Sequence, residues 1–205
     1  MEHLKGRTLA IIDVETSGTS AYNSRIIEVG ILRIENGVCV KTFKTCVNPG
    51  HEVPLWILGL TGITQAELDQ APLFEDVIDT VARLLDGAIF VAHNVAFDYG
   101  FIQAEFARHG RSFTSARLCT VRLSRILSPR ARGHSLSVVI DRHGFACESR
   151  HRAYDDAHVL WQLIECGHKK DGKKLRSAID LLTKRGEGSS RYMRALEQAG
   201  EVVIY

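Results

Sequence analysis

Residues 9–12 read Leu-Ala-Ile-Ile, an unbroken apolar run that leads straight into Asp13 and Glu15. A run that is apolar at every position, rather than at every second one, is what a strand covered on both faces needs. It therefore belongs in the middle of a layered α/β fold. Side chains alternate along a strand, so Asp13 and Glu15 share one face, roughly 6 to 7 Å apart along the chain. Two carboxylates held that close repel each other.

The rest of the chain supplies the layers. Residues 24–37 and 38–47 are two β-rich runs with Asn36-Gly37 between them, a strong hairpin signal, so the first three strands are expected to be antiparallel. Residues 48–54 read as a loop, and Thr64 and Glu67 stand in capping-box spacing at the start of a short helix. Phe74, Val77, Ile78, Val81, Leu84 and Leu85 recur at helical spacing until Gly87 stops them. Residues 88–94 form a second buried strand, and helical patterns follow in 97–110, 118–127, 135–144 and 153–167. No internal repeat is visible, and the alternation predicts one mixed sheet with helices around it.

At 205 residues, 45% hydrophobic and 24% charged, the chain can build one domain with a substantial core. The N-terminus has no apolar leader pattern and no stretch reaches about 18 apolar residues, so a cytoplasmic location without membrane contact is expected. Five scattered cysteines with no C-x-x-C pair argue for reduced thiols and against zinc. Residues 169–205 hold nine Lys or Arg against five Asp or Glu, a balance of +4 that leaves −2 for residues 1–168.

The acids gather by topology. Asp13 and Glu15 end the first strand, and Asp98 lies just past the strand in 88–94. If these strands are adjacent and parallel, all three acids open onto the end of the sheet where α/β folds usually bind ligands. Asp156 sits in the first turn of a later helix, five residues after His151. Hard oxygen ligands without cysteine suit Mg²⁺ or Mn²⁺, and two such ions about 3.5 to 4 Å apart would clamp an in-line phosphoryl displacement. Taken singly, each residue has a plainer reading: a solvated turn for Asp13 and Glu15, a helix-start acid for Asp98, Asp155 or Asp156, a packed histidine for His151.

Together, "IIDVETSG" (11–18), "VAHNVAFDYGFI" (91–102) and "HRAYDDA" (151–157) resemble the three motifs of the DEDDh 3′–5′ exonucleases, which include the proofreading epsilon subunit of bacterial DNA polymerase III. "LTGIT" (60–64), "LCTVRLSRIL" (118–127) and "GHSLSVVIDRHGF" (133–145) extend the resemblance over residues 7–167. It implies a ribonuclease H-like fold with a central mixed five-stranded sheet, and two-metal hydrolysis of the 3′-terminal phosphodiester of single-stranded ends, DNA favoured, in proofreading or repair. RNA trimming, or a noncatalytic scaffold on the same fold, are the alternatives. By that resemblance Asp13, Glu15, Asp98 and Asp156 hold two divalent ions, Mg²⁺ or Mn²⁺, and His151 is the base, with Asp156 rather than Asp155 as the last acid. Thr16, Ser17, Gly18, Leu60, Asn94 and Phe97 would line the path of the terminal nucleotides. An aromatic at a helix start, such as Phe97, is as readily core.

The resemblance implies an exonuclease domain over 1–168 and leaves 169–205 as a basic helical appendage. Leu175, Ile179 and Leu182 give it one amphipathic segment, and Met193 and Leu196 a second after Gly186 and Gly188. Such a layout suits docking to a DNA polymerase subunit, a grip on nucleic acid through Arg176, Lys184, Arg185, Arg191 and Arg194, or packing on the body.

Overall fold

The computed structural model describes residues 1–183. Strands β1 (Thr8–Thr16), β2 (Ile26–Glu35) and β3 (Val38–Cys46) form an antiparallel meander, and Asn36 and Gly37 turn the hairpin with φ of 53° and 81°. β4 (Ile89–Ala92) and β5 (Arg117–Cys119) extend the sheet on the other side of β1, in parallel, giving the order β3-β2-β1-β4-β5. β1 is the middle strand, and Leu9, Ala10, Ile11 and Ile12 are fully buried, as their unbroken apolar run requires.

The two faces of β1 feed different cores. Ala10, Ile12 and Val14 pack with α3 (Phe74–Leu85) and α4 (Ala96–Arg108). Leu9 and Ile11 pack with α5 (Thr120–Leu127), α6 (Leu136–His143) and α7 (Ala153–Thr183). Because the side-chain period is two, Asp13 and Glu15 continue the Leu9–Ile11 face and therefore rise on the side where α7 begins.

Two short helices, α1 (Leu55–Thr61) and α2 (Gln65–Asp69), connect β3 to α3. The sequence pattern predicts only one helix here. α1 escapes it because just Ile57 and Thr61 turn inward, while Leu55, Trp56 and Leu60 are exposed, so no amphipathic period develops. Gly62 ends α1 at φ 69°, and the expected box closes α2: Glu67 N–H donates to Thr64 Oγ1 at 3.2 Å and Thr64 N–H to the Glu67 carboxylate at 2.8 Å.

α7 is set by two contacts. Its first turn lies directly on β2 at Gly30, where a Cβ would come within 2.3 Å of the Tyr154 nitrogen. Glycine in mid-strand is the condition for that approach. Further along, the helix is two stretches meeting at Asp171, whose carboxylate accepts from Lys174 N–H at 2.9 Å and so caps the second. That second stretch buries Leu175, Ala178, Ile179 and Leu182 against Leu4, Leu9 and Ile34, and Asp180 pairs with Arg7 at 2.6 Å. Residues 169–183 thus pack on the body. Lys184, Arg185, Arg191, Arg194, Met193 and Leu196 lie outside the described residues. Among the described residues no helix is long and apolar enough to cross a membrane.

Candidate active site at the carboxylate end of the sheet

β1 outruns its parallel neighbour. Its pairing with β4 ends at Ile11, which leaves the Val14 N–H without a strand partner on that side. Asp98, in the first turn of α4 and buried, fills the gap: its carboxylate accepts from Val14 N–H at 3.2 Å. One hydrogen bond therefore fixes Asp98 between Asp13 and Glu15. Asn94, at φ 67°, makes the turn that carries the chain from β4 into α4.

The third side comes from α7. Glu28 stands opposite Glu15 in the β1–β2 register and is buried. It binds Arg152 at 2.7 Å and accepts from the Ala153 N–H at 2.8 Å, anchoring the start of the helix. With that end fixed, His151 takes the left-handed conformation (φ 61°), and ligand atoms of Glu15, His151 and Asp156 all fall within 4.8 Å of one another. Asp156 also accepts from the His151 N–H at 3.3 Å and is ion-paired with Arg150.

Among the described residues, the four carboxylates of this cleft have one ion-paired guanidinium, that of Arg150. Burial, then the charges of Asp98, Asp156 and Glu15, hold the Asp13 carboxyl well above the usual carboxylate range. Burial and Asp156 push Glu15 up to about 8. Burial raises Asp98 to about 7 against the opposing pull of its backbone hydrogen bonds, and it raises Asp156 against the pull of Arg150. Burial leads all four shifts, and at Asp13 and Glu15 the repulsion of neighbouring carboxylates adds to it, which a bound cation would relieve. Clustered oxygen donors with one imidazole match hard divalent cations, and the Cys147 thiol, 4.0 Å from Asp156 Oδ1, is kept protonated by burial.

Around the acids, the strand end is built for close approach. Thr16 and Ser17 are buried. The Thr16 hydroxyl donates to the Gly18 carbonyl at 2.7 Å, and Ser17 Oγ accepts from Arg25 N–H at 3.0 Å and lies 3.1 Å from His51 Nε2. At Gly18 a Cβ would meet Ser24 Oγ at 2.4 Å. Leu60 and Trp56, one helical turn apart on α1, share an exposed face. Phe97 is half-buried, packs on the β1–α3–α4 core and meets Phe101 in a tilted ring pair at 4.9 Å, so its ring belongs largely to the core.

Three contributors were not read from the sequence. Glu28 hides inside an apolar strand and shows itself only through its cross-strand position. Arg150 precedes the third motif without belonging to it. His93, at the end of β4, lies 2.9 Å from Thr120 Oγ1, and burial lowers it to about 4, so it is neutral at physiological pH. A charged or imidazole residue inside a buried run was the available signal for Glu28 and His93.

Comparison with known proteins bears on this site. Residues 10–164 match the family model described as Exonuclease. The chain is 34% identical over 160 residues to a DNA polymerase III PolC-type protein of Clostridium perfringens, covering 78% of this chain and 11% of that one. It is 38% identical over 151 residues to the 3′-5′ exonuclease DinG of Bacillus subtilis, covering 73% of this chain and 16% of that one. The chain thus spans only a small part of these relatives. Its fold matches that of exonuclease X, solved in complex with 5′ overhanging duplex DNA, with a TM-score of 0.66 and 22% identity over 83% of this chain and 99% of that one. This is the ribonuclease H-like exonuclease fold.

Proposed function

The chain belongs to the exonuclease family, and from that premise we propose that it is a Mg²⁺- or Mn²⁺-dependent 3′–5′ exonuclease releasing nucleoside 5′-monophosphates from single-stranded ends. The observation that carries this reading is the convergence of Asp13, Glu15, Asp98, Asp156 and His151, from three separate segments, on one end of the sheet with a shortage of positive charge. DNA is favoured over RNA because relatives above 30% identity are a DNA polymerase III and DinG. The same kinship supports a role in proofreading or repair.

Asp13, Glu15, Asp98 and Asp156 would hold the ions. When bound, these would supply charge stabilisation for the nonbridging and departing 3′ oxygens and acidify the attacking water. His151 takes the water's proton, a task its imidazole suits near neutral pH. The positive φ of His151 and the Asp156 contact to its N–H hold the ring beside Glu15 rather than along the helix. Thr16, Ser17 and Gly18 present backbone and small side chains to the terminal nucleotide, while Leu60 and Trp56 offer an apolar face to unpaired bases. Asn94 and Phe97 line the same path.

The test is digestion of 5′-labelled single-stranded DNA and RNA of one sequence with Mg²⁺, Mn²⁺ or chelator. Stepwise shortening with either ion, mononucleotide products and silence in chelator are expected, with DNA the faster substrate. No shortening with either ion overturns the activity, and faster RNA overturns only the preference.

A further inference from the structure

Charge in this protein is concentrated where composition does not reveal it. Residues 117–152 contain eight arginines, no lysine and two acids, a balance of +6, while residues 1–116 and 153–168 together carry −8. The arginine-rich stretch is β5, α5, the connecting loop, α6 and the segment bearing His151. It therefore wraps one flank of the carboxylate cleft.

Five of the eight arginines are engaged. Arg117 covers the Tyr99 ring, Arg150 pairs with Asp156 and Arg152 with Glu28. Arg142 is bonded to the Arg132 and Gly133 carbonyls, and Arg122 also has partners. Arg125, Arg130 and Arg132 remain, with no carboxylate partner among the described residues, and Arg130 and Arg132 are exposed. Three guanidiniums within eight residues and without a carboxylate partner make a positive stretch that attracts anions.

Two histidines fasten this region: His93, at the end of β4, lies 2.9 Å from Thr120 Oγ1 at the start of α5, and His134 holds the loop that carries Arg130 and Arg132. His134 Nδ1 lies 2.9 Å from Ser124 Oγ, which folds the loop back onto α5. His134 feels the charges of Arg142 and Arg125, and His93 feels those of His134 and Arg150. The loop is held at both sides, by Ser124 of α5 and by Arg142 of α6, which donates to the Arg132 and Gly133 carbonyls. Beyond it, Ser128 lies with Lys170 and Lys174 around a small cavity beside the α7 kink.

We infer that Arg125, Arg130 and Arg132 form a phosphate track that holds the strand upstream of the cleaved end, leading it out of the cleft along α5 and the 128–134 loop. This rests on the exonuclease reading above. Arginines that contact phosphates without touching bases add affinity and salt dependence irrespective of sequence. The acidic remainder of the body repels the strand and so defines the exit.

The experiment uses the full chain with Asp13→Asn, in chelator, binding labelled single-stranded DNA of roughly a dozen nucleotides across a KCl series. The combined variant Arg125→Gln, Arg130→Gln, Arg132→Gln should lower the logarithmic salt slope by about 2, at about 0.7 for each lost contact. Lysine at the same three positions should restore it. With Asp13 intact, the parent's preference for such a strand over a trinucleotide should shrink in the glutamine variant. A glutamine variant that melts like its parent and keeps the parent's slope overturns the track. So does a lysine variant that fails to restore the slope. If the intact parent digests no strand with either ion, the exonuclease reading itself fails, a different result from an unchanged slope in an active enzyme.

Discussion

Two buried acidic places in this molecule have opposite electrostatics. Glu105, on α4 and fully buried, is held by Arg25 at 2.8 Å, by Arg108 at 3.3 Å and by the Ile26 N–H at 3.2 Å. At the other place, Asp156 is ion-paired with Arg150, whose charge Asp13 and Glu15 also feel, and Asp98 is met by the Val14 N–H. The first is a closed ion pair that fastens α4 to the start of β2. The second is an open charge that the fold pays to keep, since replacing it with amides would relieve repulsion. A buried acid with its arginines is scaffold, and a buried acid without them marks a place where a cation belongs.

Substitutions should therefore split activity from stability in opposite senses. Asp13→Asn should reduce turnover by roughly 10³ or more, since several kcal/mol of charge stabilisation are lost, while the melting temperature stays level or rises in chelator. Glu105→Gln should destabilise by about 3–5 kcal/mol, because two arginines are left facing a neutral amide, yet the folded fraction should still cut. Denaturant melts beside single-turnover assays check both. An Asp13→Asn protein that is destabilised and active would erase the distinction.

His151 tests the open site from its other component. His151→Ala should lower turnover by roughly 10² to 10⁴, the usual worth of a positioned general base, and remove the acid limb of the pH–rate profile. Retention of that limb would assign the proton to another group. Binding of Mn²⁺, followed by calorimetry, should persist in this variant because the four carboxylates remain.

A smaller effect should appear in stability against pH. A carboxyl whose folded pKa lies above its unfolded value keeps a proton in the folded chain that the unfolded chain has released, so stability falls as pH rises. For Glu15 this contribution is fully present below its ordinary 4.5 and is lost as pH passes about 8. Asp98, raised to about 7, acts in the same direction. In chelator the melting temperature should decline over the upper part of that window, about pH 7 to 8, where His93 no longer titrates, and saturating Mn²⁺ should flatten the decline by replacing the protons. A melting temperature that rises between about pH 7 and 8 in chelator, above the range where His93 acts in the opposite sense, would contradict the open-charge description.

What the sequence made legible follows from range. The buried run 9–12, the Asn36-Gly37 turn, the Thr64–Glu67 box and the α3 stripe are short-range signals, and each appears in the structure where its pattern predicts. The acids were readable because a strand end and two helix starts place them before any tertiary detail is known. Glu28 was not, since its meaning depends on facing Glu15 across a strand pair and meeting Arg152, 124 residues away. α1 was lost for lack of a buried stripe, and Gly30 gives its reason only once α7 lies on it. The arginine excess of 117–152 was masked by averaging over the acidic remainder.

The finest test separates neighbours. Asp155 and Asp156 are adjacent in the first turn of α7, and helix geometry turns consecutive side chains about 100° apart, so only one can face the cleft. Asp156 is the buried one: it sits with Glu15 and His151 and is bound by Arg150, whereas Asp155 is outside that group. Asp155 in the first turn can still complement the helix dipole, a role worth about 0.3–1 kcal/mol. Asp155→Asn should accordingly leave turnover within about twofold and cost no more than that dipole contribution in stability, while Asp156→Asn should be as inactive as Asp13→Asn. Side-by-side turnover of the two single variants decides it: an inactive Asp155→Asn beside an active Asp156→Asn would mean that the start of α7 is rotated and that Glu28 anchors the helix for a different acid.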